Sequence, residues 1–247
     1  MTQDYTILPG AEPFIAEGGK TGILVSHGFT GTTQSMRPLA EAFHKAGYSV
    51  YAPRLKGHGT HYEDMEQTTY QDWIASVEEA YAWLSERCDT IFMAGLSMGG
   101  TLALYMAANH PEIRAISLIN AAVEVPSMEG VKDLQDVRFL DSIGSDIKKP
   151  GITELAYEKT PVASVKEILN FMELAHKSLN AIHCPALILF SPEDHVVPPN
   201  NAQVIYDHIS SEEKHIIELT DSYHVATLDH DQQRIIDETI DFFRKFE

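Results

Sequence analysis

Gly95-Leu96-Ser97-Met98-Gly99 follows the apolar run Ile91-Phe92-Met93-Ala94 and precedes a helical pattern beginning at Thr101-Leu102-Ala103-Leu104. The order is strand, tight turn, helix. In that setting Gly-x-Ser-x-Gly is a nucleophile elbow: small neighbours let the chain bend sharply enough to stand the serine hydroxyl above the sheet edge. The start of the helix behind it also lays a positive backbone dipole under any oxyanion that develops there. A plain Gly-rich turn closing a strand onto a packed helix is the competing explanation. It is the weaker one, because Gly99 and Gly100 open the helix at a cost that close backbone approach would justify.

Outward from the elbow, strands alternate with helices. Thr21-Gly22-Ile23-Leu24-Val25-Ser26 reads as a buried strand, with Phe14-Ile15-Ala16 and the Gly18-Gly19 turn forming an edge hairpin in front of it. Met36, Leu39, Ala40 and Phe43 recur at helical spacing up to Gly47, a C′ residue, and Tyr48 to Ala52 is a strand stopped by Pro53. Thr69 precedes a second amphipathic run with Trp73, Val77, Tyr81 and Leu84 on one face. Downstream, Ala115 to Ile119, Pro185 to Phe190 and His215 to Leu219 are further strands, and Ile235, Ile236, Ile240 and Phe243 mark a closing helix. This alternation predicts an α/β fold with a mostly parallel, doubly wound sheet. Its core covers residues 1–120 and 183–247.

Between them, over residues 121–182, the rhythm fails. Polar, Gly- and Pro-containing segments surround a short helical pattern at Val165, Ile168, Leu169 and Met172. Placed just after the strand that follows the elbow helix, this segment is an insertion able to fold over Ser97 as a cap. An ordinary pair of peripheral helices is the alternative.

Composition narrows the partners. A chain of 247 residues fits one large domain, and 36 Asp and Glu against 18 Lys and Arg give a net charge of −18. That field opposes nucleic acid and anionic membrane surfaces. The two cysteines, Cys88 and Cys184, make neither a disulfide framework nor a zinc pattern, which suits a reducing compartment. Met1 to Phe14 lack a basic start and an apolar segment, and no run approaches the ~20 apolar residues of a membrane span. The expected location is cytoplasmic.

A serine hydroxyl is a poor nucleophile at neutral pH, so Ser97 needs a histidine base and a carboxylate to hold that base in the right tautomer. With a serine elbow the acid and then the histidine follow in chain order, which removes His27, His44, His58 and His61 from the twelve histidines. His224 is the first choice, since it lies in the loop between the last strand and the closing helix; His230 is its rival. Asp194 is the first choice of acid, on a loop beyond the strand Leu187 to Phe190 and before Pro198-Pro199 start a helix. Glu193 and Asp221 stand as substitutes. The oxyanion needs fixed donors, for which the Met98 amide after the nucleophile and the Phe29 amide in His27-Gly28-Phe29-Thr30-Gly31 are placed. The Gly57-His58-Gly59 loop has no companion ligands, so it reads as a structural turn and no metal is expected.

With these pieces in order the chain resembles the bacterial monoacylglycerol lipases of the α/β-hydrolase superfamily. The resemblance is carried by His27 to Thr32, Arg54-Leu55-Lys56-Gly57-His58-Gly59-Thr60, the elbow, Asp194 to Pro198 and Ser222 to Asp229. It implies Ser97, Asp194 and His224 as a triad with the Phe29 and Met98 amides as oxyanion donors. Leu140 to Asp146 and Glu154 to Pro161 extend it into the cap, where it implies that Ile143 lines the acyl and alcohol passage and that Glu154 receives glycerol hydroxyls. Glu158, one helical turn from Glu154, competes for that role. Pro126 to Asp136 departs from the family pattern, being shorter and more polar.

The expected reaction is hydrolysis of a monoacylglycerol, a small lipid ester, through an acyl-enzyme and without a cofactor. The cap is the element available for transient membrane contact. A short- to medium-chain carboxylesterase would use the same machinery, and a hydrolase-fold binding protein without turnover would have no need of all three side chains.

Overall fold

A computed structural model describes residues 5–247. Phe14–Ala16 is β1, Thr21–Ser26 is β2, Arg37–Lys45 is α1 and Ser49–Ala52 is β3. The short helix α2 at Tyr62–Met65 and the long helix α3 at Tyr70–Ser85 lead to β4 at Thr90–Leu96, the strand that ends in the elbow. Helix α4 at Met98–Asn109 and β5 at Ile113–Ile119 follow. The 121–182 segment holds a 3-10 stretch at Pro126–Asp133, a two-stranded ribbon of β6 (Phe139–Asp141) and β7 (Lys159–Pro161), and α5 at Val162–Lys177. The chain returns through β8 at Ala186–Phe190, α6 at Asn201–His208, β9 at Lys214–Glu218 and α7 at Gln232–Arg244.

Seven strands form one sheet in the order β1-β3-β2-β4-β5-β8-β9. Every pairing except the edge pair β1–β3 is parallel. The period-2 alternation explains how both faces are buried. Along β4, Ile91 and Met93 join the apolar cluster under α3 and α4, while Phe92, Ala94 and Leu96 join the cluster under α1 and α7. Helix α3 starts where expected, because Thr69 and Asp72 make a capping box and the Thr69 N–H donates to the Asp72 carboxylate at 3.0 Å. Its Trp73, Val77 and Leu84 are fully buried.

The edge hairpin does not form. β1 pairs antiparallel with β3, not with β2, because β2 already lies between β3 and β4. The Gly18-Gly19 turn is instead anchored to the start of β3, Gly18 N–H donating to Ser49 Oγ at 2.9 Å and Gly19 N–H to the Gly47 carbonyl at 2.7 Å. Pro198-Pro199 also fall short of starting a helix: they form the turn before α6, which opens at Asn201.

Within residues 121–182, α5 buries Val165, Ile168, Leu169 and Met172 in the same apolar cluster as α3 and α4. The stretch around Glu154 has no regular secondary structure and is not helical, so Glu158 is no turn-neighbour of Glu154 and lies exposed.

Candidate active site

Ser97 sits between β4 and α4 with φ 56° and ψ −120°, outside the comfortable regions for a residue bearing a Cβ. Such backbone strain costs about 1–3 kcal/mol and persists only where the surroundings impose it. Here the Ser97 N–H donates to the Ile119 carbonyl at 2.9 Å, and its own carbonyl receives the N–H groups of Gly100 and Thr101. Gly99 permits the turn, since a Cβ there would collide with the Ser26 carbonyl. Gly28 permits the next approach: a Cβ on it would stand 3.2 Å from the Ser97 Cβ, so the loop after β2 lies directly against the serine.

That loop carries Phe29. Burial pushes the neighbouring His27 imidazole down to about 4, which keeps it neutral. Its Nε2 accepts the Leu55 N–H at 3.2 Å, so the proton is on Nδ1, which donates to the Gly28 carbonyl at 2.9 Å. The peptide held in this way is the one whose N–H belongs to Phe29. Neither the Phe29 nor the Met98 amide meets an acceptor among the described residues, and both residues line the cleft over Ser97.

His224 follows β9 and Asp194 follows β8, so two adjacent parallel strands deliver both loops to one sheet edge. Nδ1 of His224 lies 2.7 Å from Oδ2 of Asp194, with both side chains buried. The other carboxylate oxygen accepts the N–H groups of Val196 and Val197, each at 2.8 Å. Because the carboxylate only accepts, it holds the imidazole proton on Nδ1 and leaves Nε2 as the basic atom. Burial alone would push His224 down. The Asp194 hydrogen bond and charge outweigh it, with Glu154 and Asp146 adding, and raise the imidazole above the ordinary histidine value.

Ser97 and His224 face a common cleft of about 850 Å³, counted to its open mouth. Met128, Ile168 and Met172 give it an apolar wall, and Ile143, 66% exposed, stands at its rim. Glu154 also lines it, packed so closely on the loop after β2 that a Cβ on Gly31 would lie 2.6 Å from its Oε1. Burial raises the Glu154 carboxyl, with the charge of His224 and the Ser35 hydroxyl acting the other way.

The rivals lie elsewhere. His230 is exposed, Glu193 pairs with Lys148 at 3.0 Å on the surface, and the Asp221 backbone donates to Asp231. His58 is buried against the rings of His27 and Trp73, and among the described residues no group of three or more His, Cys, Asp or Glu is arranged to hold a metal ion.

Three polar residues escaped the sequence reading. Asn120, at the end of β5 with φ 44°, donates from Nδ2 to the His224 carbonyl at 2.7 Å and accepts the Ser191 N–H at 2.7 Å. Asp229 accepts four backbone N–H groups, from Lys148, Lys149, Tyr223 and His230. Asp146 accepts the His224 N–H at 3.1 Å. A polar side chain at the carboxyl end of a core strand was the available signal for Asn120; the two aspartates were marked only by closing stretches that carry the resemblance.

Comparison with known proteins supplies the family. The family model described as serine aminopeptidase, S33, matches residues 19–149 and 146–231. The chain belongs to the S33 serine aminopeptidase family. Among S33-like relatives, the thermostable monoacylglycerol lipase of Bacillus sp. (strain H-257) is 59% identical, covering 99% of each chain. A carboxylesterase of Bacillus subtilis (strain 168) is 27% identical over 96% of this chain and 97% of its own. A solved structure from the study of LipS and LipT, two metagenome-derived lipolytic enzymes, superposes with a TM-score of 0.95 at 49% identity, covering 97% of this chain and all of that one. The Paleococcus ferrophilus monoacylglycerol lipase has the same fold, with a TM-score of 0.78 at 18% identity over 96% of this chain and all of its own. The S33 member described here has the α/β-hydrolase fold that the resemblance of its motifs implied.

Proposed function

We infer that the chain is a carboxylic ester hydrolase that cleaves monoacylglycerols to fatty acid and glycerol through an acyl-serine intermediate. The observation that carries this reading is the buried 2.7 Å His224–Asp194 pair facing Ser97 across one cleft. The Bacillus monoacylglycerol lipase at 59% identity supports the substrate class. Nε2 of His224 takes the Ser97 proton as Oγ attacks the ester carbonyl, and the Phe29 and Met98 amides receive the negative oxygen. His224 then protonates the departing glycerol oxygen and activates water against the acyl-serine, which returns the free hydroxyl and releases the fatty acid. The apolar wall at Ile168 and Met172 suits the acyl chain, and Glu154 suits the glycerol hydroxyls. Residues 121–182 serve as the cap, and the exposed Ile143 and Ile152 would make its transient contact with a lipid surface. A cytoplasmic setting fits the two free cysteines.

Ser97→Ala tests the reading: kcat for a monoacylglycerol should fall at least ~10⁴-fold with the fold intact, and substantial retained turnover would refute it. The relative from Bacillus subtilis favours one second reading, a carboxylesterase indifferent to glycerol. Monoacylglycerols assayed against simple esters of matched acyl length decide between the two.

A further inference from the structure

Asp146 lies in the cap by sequence, yet its contacts are with the two loops assigned to acid and base. Oδ2 accepts the His224 N–H at 3.1 Å and also the His195 N–H at 3.1 Å. Oδ1 meets Nδ1 of His195 at 2.8 Å, and the Asp146 carbonyl accepts the Val225 N–H at 3.0 Å. His195 is the residue after Asp194. One carboxylate, only 12% exposed, therefore spans loops that lie 49 and 78 residues away along the chain.

The His224 peptides are gripped from two sides. The core holds the carbonyl through Asn120, while among the described residues the N–H meets only Asp146. Asp146 also borders the cleft together with Ser142, Ile143 and Gly144 of the same cap segment. The spacing of the acid and base loops is thus fixed in part by a group on the same segment as the cleft wall.

We propose that Asp146 is a positioning residue: seated in the cap, it clamps the Asp194 and His224 loops in register, so that the triad is competent only while the cap segment 142–149 is docked. The proposal rests on the assignment of Asp194 and His224 as acid and base. Withdrawing Asp146 strips two amides of a shared acceptor and frees the loops to drift, and a displacement of ~1 Å at a reacting group costs about 100-fold in rate.

Asp146→Ala and Asp146→Asn separate positioning from general stability. Ala should lower both kcat and the rate of Ser97 labelling by a fluorophosphonate about 30-fold or more, with KM within about threefold. Asn keeps an oxygen able to accept both N–H groups, so it should recover kcat to within about fivefold of the native enzyme. The charged groups facing His224 are Asp194, Glu154 and Asp146, with His195 beyond Asp146. Loss of one negative charge in the Asn variant should therefore move the acid limb of kcat/KM to lower pH. Native rates in the Ala variant, or equal losses in Ala and Asn, would overturn the proposal. Should Ala fail to fold, hydrogen exchange of the native enzyme reads the same link: the His195 and His224 amides should share one opening, and protection factors differing by about tenfold or more would overturn it. Native enzyme that is not labelled at Ser97 would instead overturn the assignment of function.

Discussion

On the floor of the cleft the groups assigned to the chemistry hang from the carboxyl ends of parallel core strands, β2, β4, β8 and β9. The proposed roof, residues 121–182, has one long helix, a two-stranded ribbon, 3-10 turns and otherwise irregular chain. On the floor Leu96 and Ser97 are buried, both carboxylate oxygens of Asp194 accept hydrogen bonds, and Nδ1 of His224 is engaged by Asp194. On the roof Ile143 is 66% exposed. On the proposed assignment the contrast is a division of labour, in which the floor sets the rate and the roof sets what is accepted.

The largest effect expected under that division is on the floor. Asp194→Asn should drop kcat about 10⁴-fold while leaving KM and the melting temperature nearly unchanged, because an amide partner favours the wrong imidazole tautomer. A loss below tenfold in steady-state assays would break the comparison at its root. Glu154→Gln should come next, raising KM for monoacylglycerols roughly tenfold, the scale of one hydrogen bond to a charged acceptor, with little loss for a simple ester. The same variant has a pH signature. The base must be neutral to act, so activity falls as pH drops through the raised His224 value, and deleting the Glu154 charge lowers that value. The acid limb of kcat/KM should shift to lower pH; a shift to higher pH would contradict the placement of Glu154. Smallest of all, Ile143→Ser should change unfolding free energy in urea by less than about 0.5 kcal/mol, as for most exposed sites, and alter acyl-length preference by only about threefold. A destabilisation of several kcal/mol there would mean the roof is as tightly built as the floor.

The floor was legible in sequence because its signals are local. A strand of apolar residues, a Gly-flanked Ser97 and a helix follow one another within some twenty positions, and the loops of Asp194 and His224 each trail a readable strand. The roof was legible only at the α5 spacing and, through the resemblance, at Ile143 and Glu154, because its other contacts are distant. Glu154 packs on Gly31, and Asp146 answers amides of His195 and His224, none of which leaves a periodic trace beside it. The pairing of β1 with β3 was hidden for a related reason: a turn shows that the chain reverses, not which strand it will lie beside. The irregular run around Glu154 misled because helical spacing of two acidic residues needs no helix.

The sheet order has a consequence for biosynthesis. Ser97 and the proposed amide donors Phe29 and Met98 follow β2 and β4, which are laid down early, whereas the proposed acid and base arrive only with β8 and β9, added one after the other at the far edge. On that assignment a polypeptide caught midway through translation carries an inert serine, and a nascent chain gains no hydrolytic power until its last sheet edge has closed.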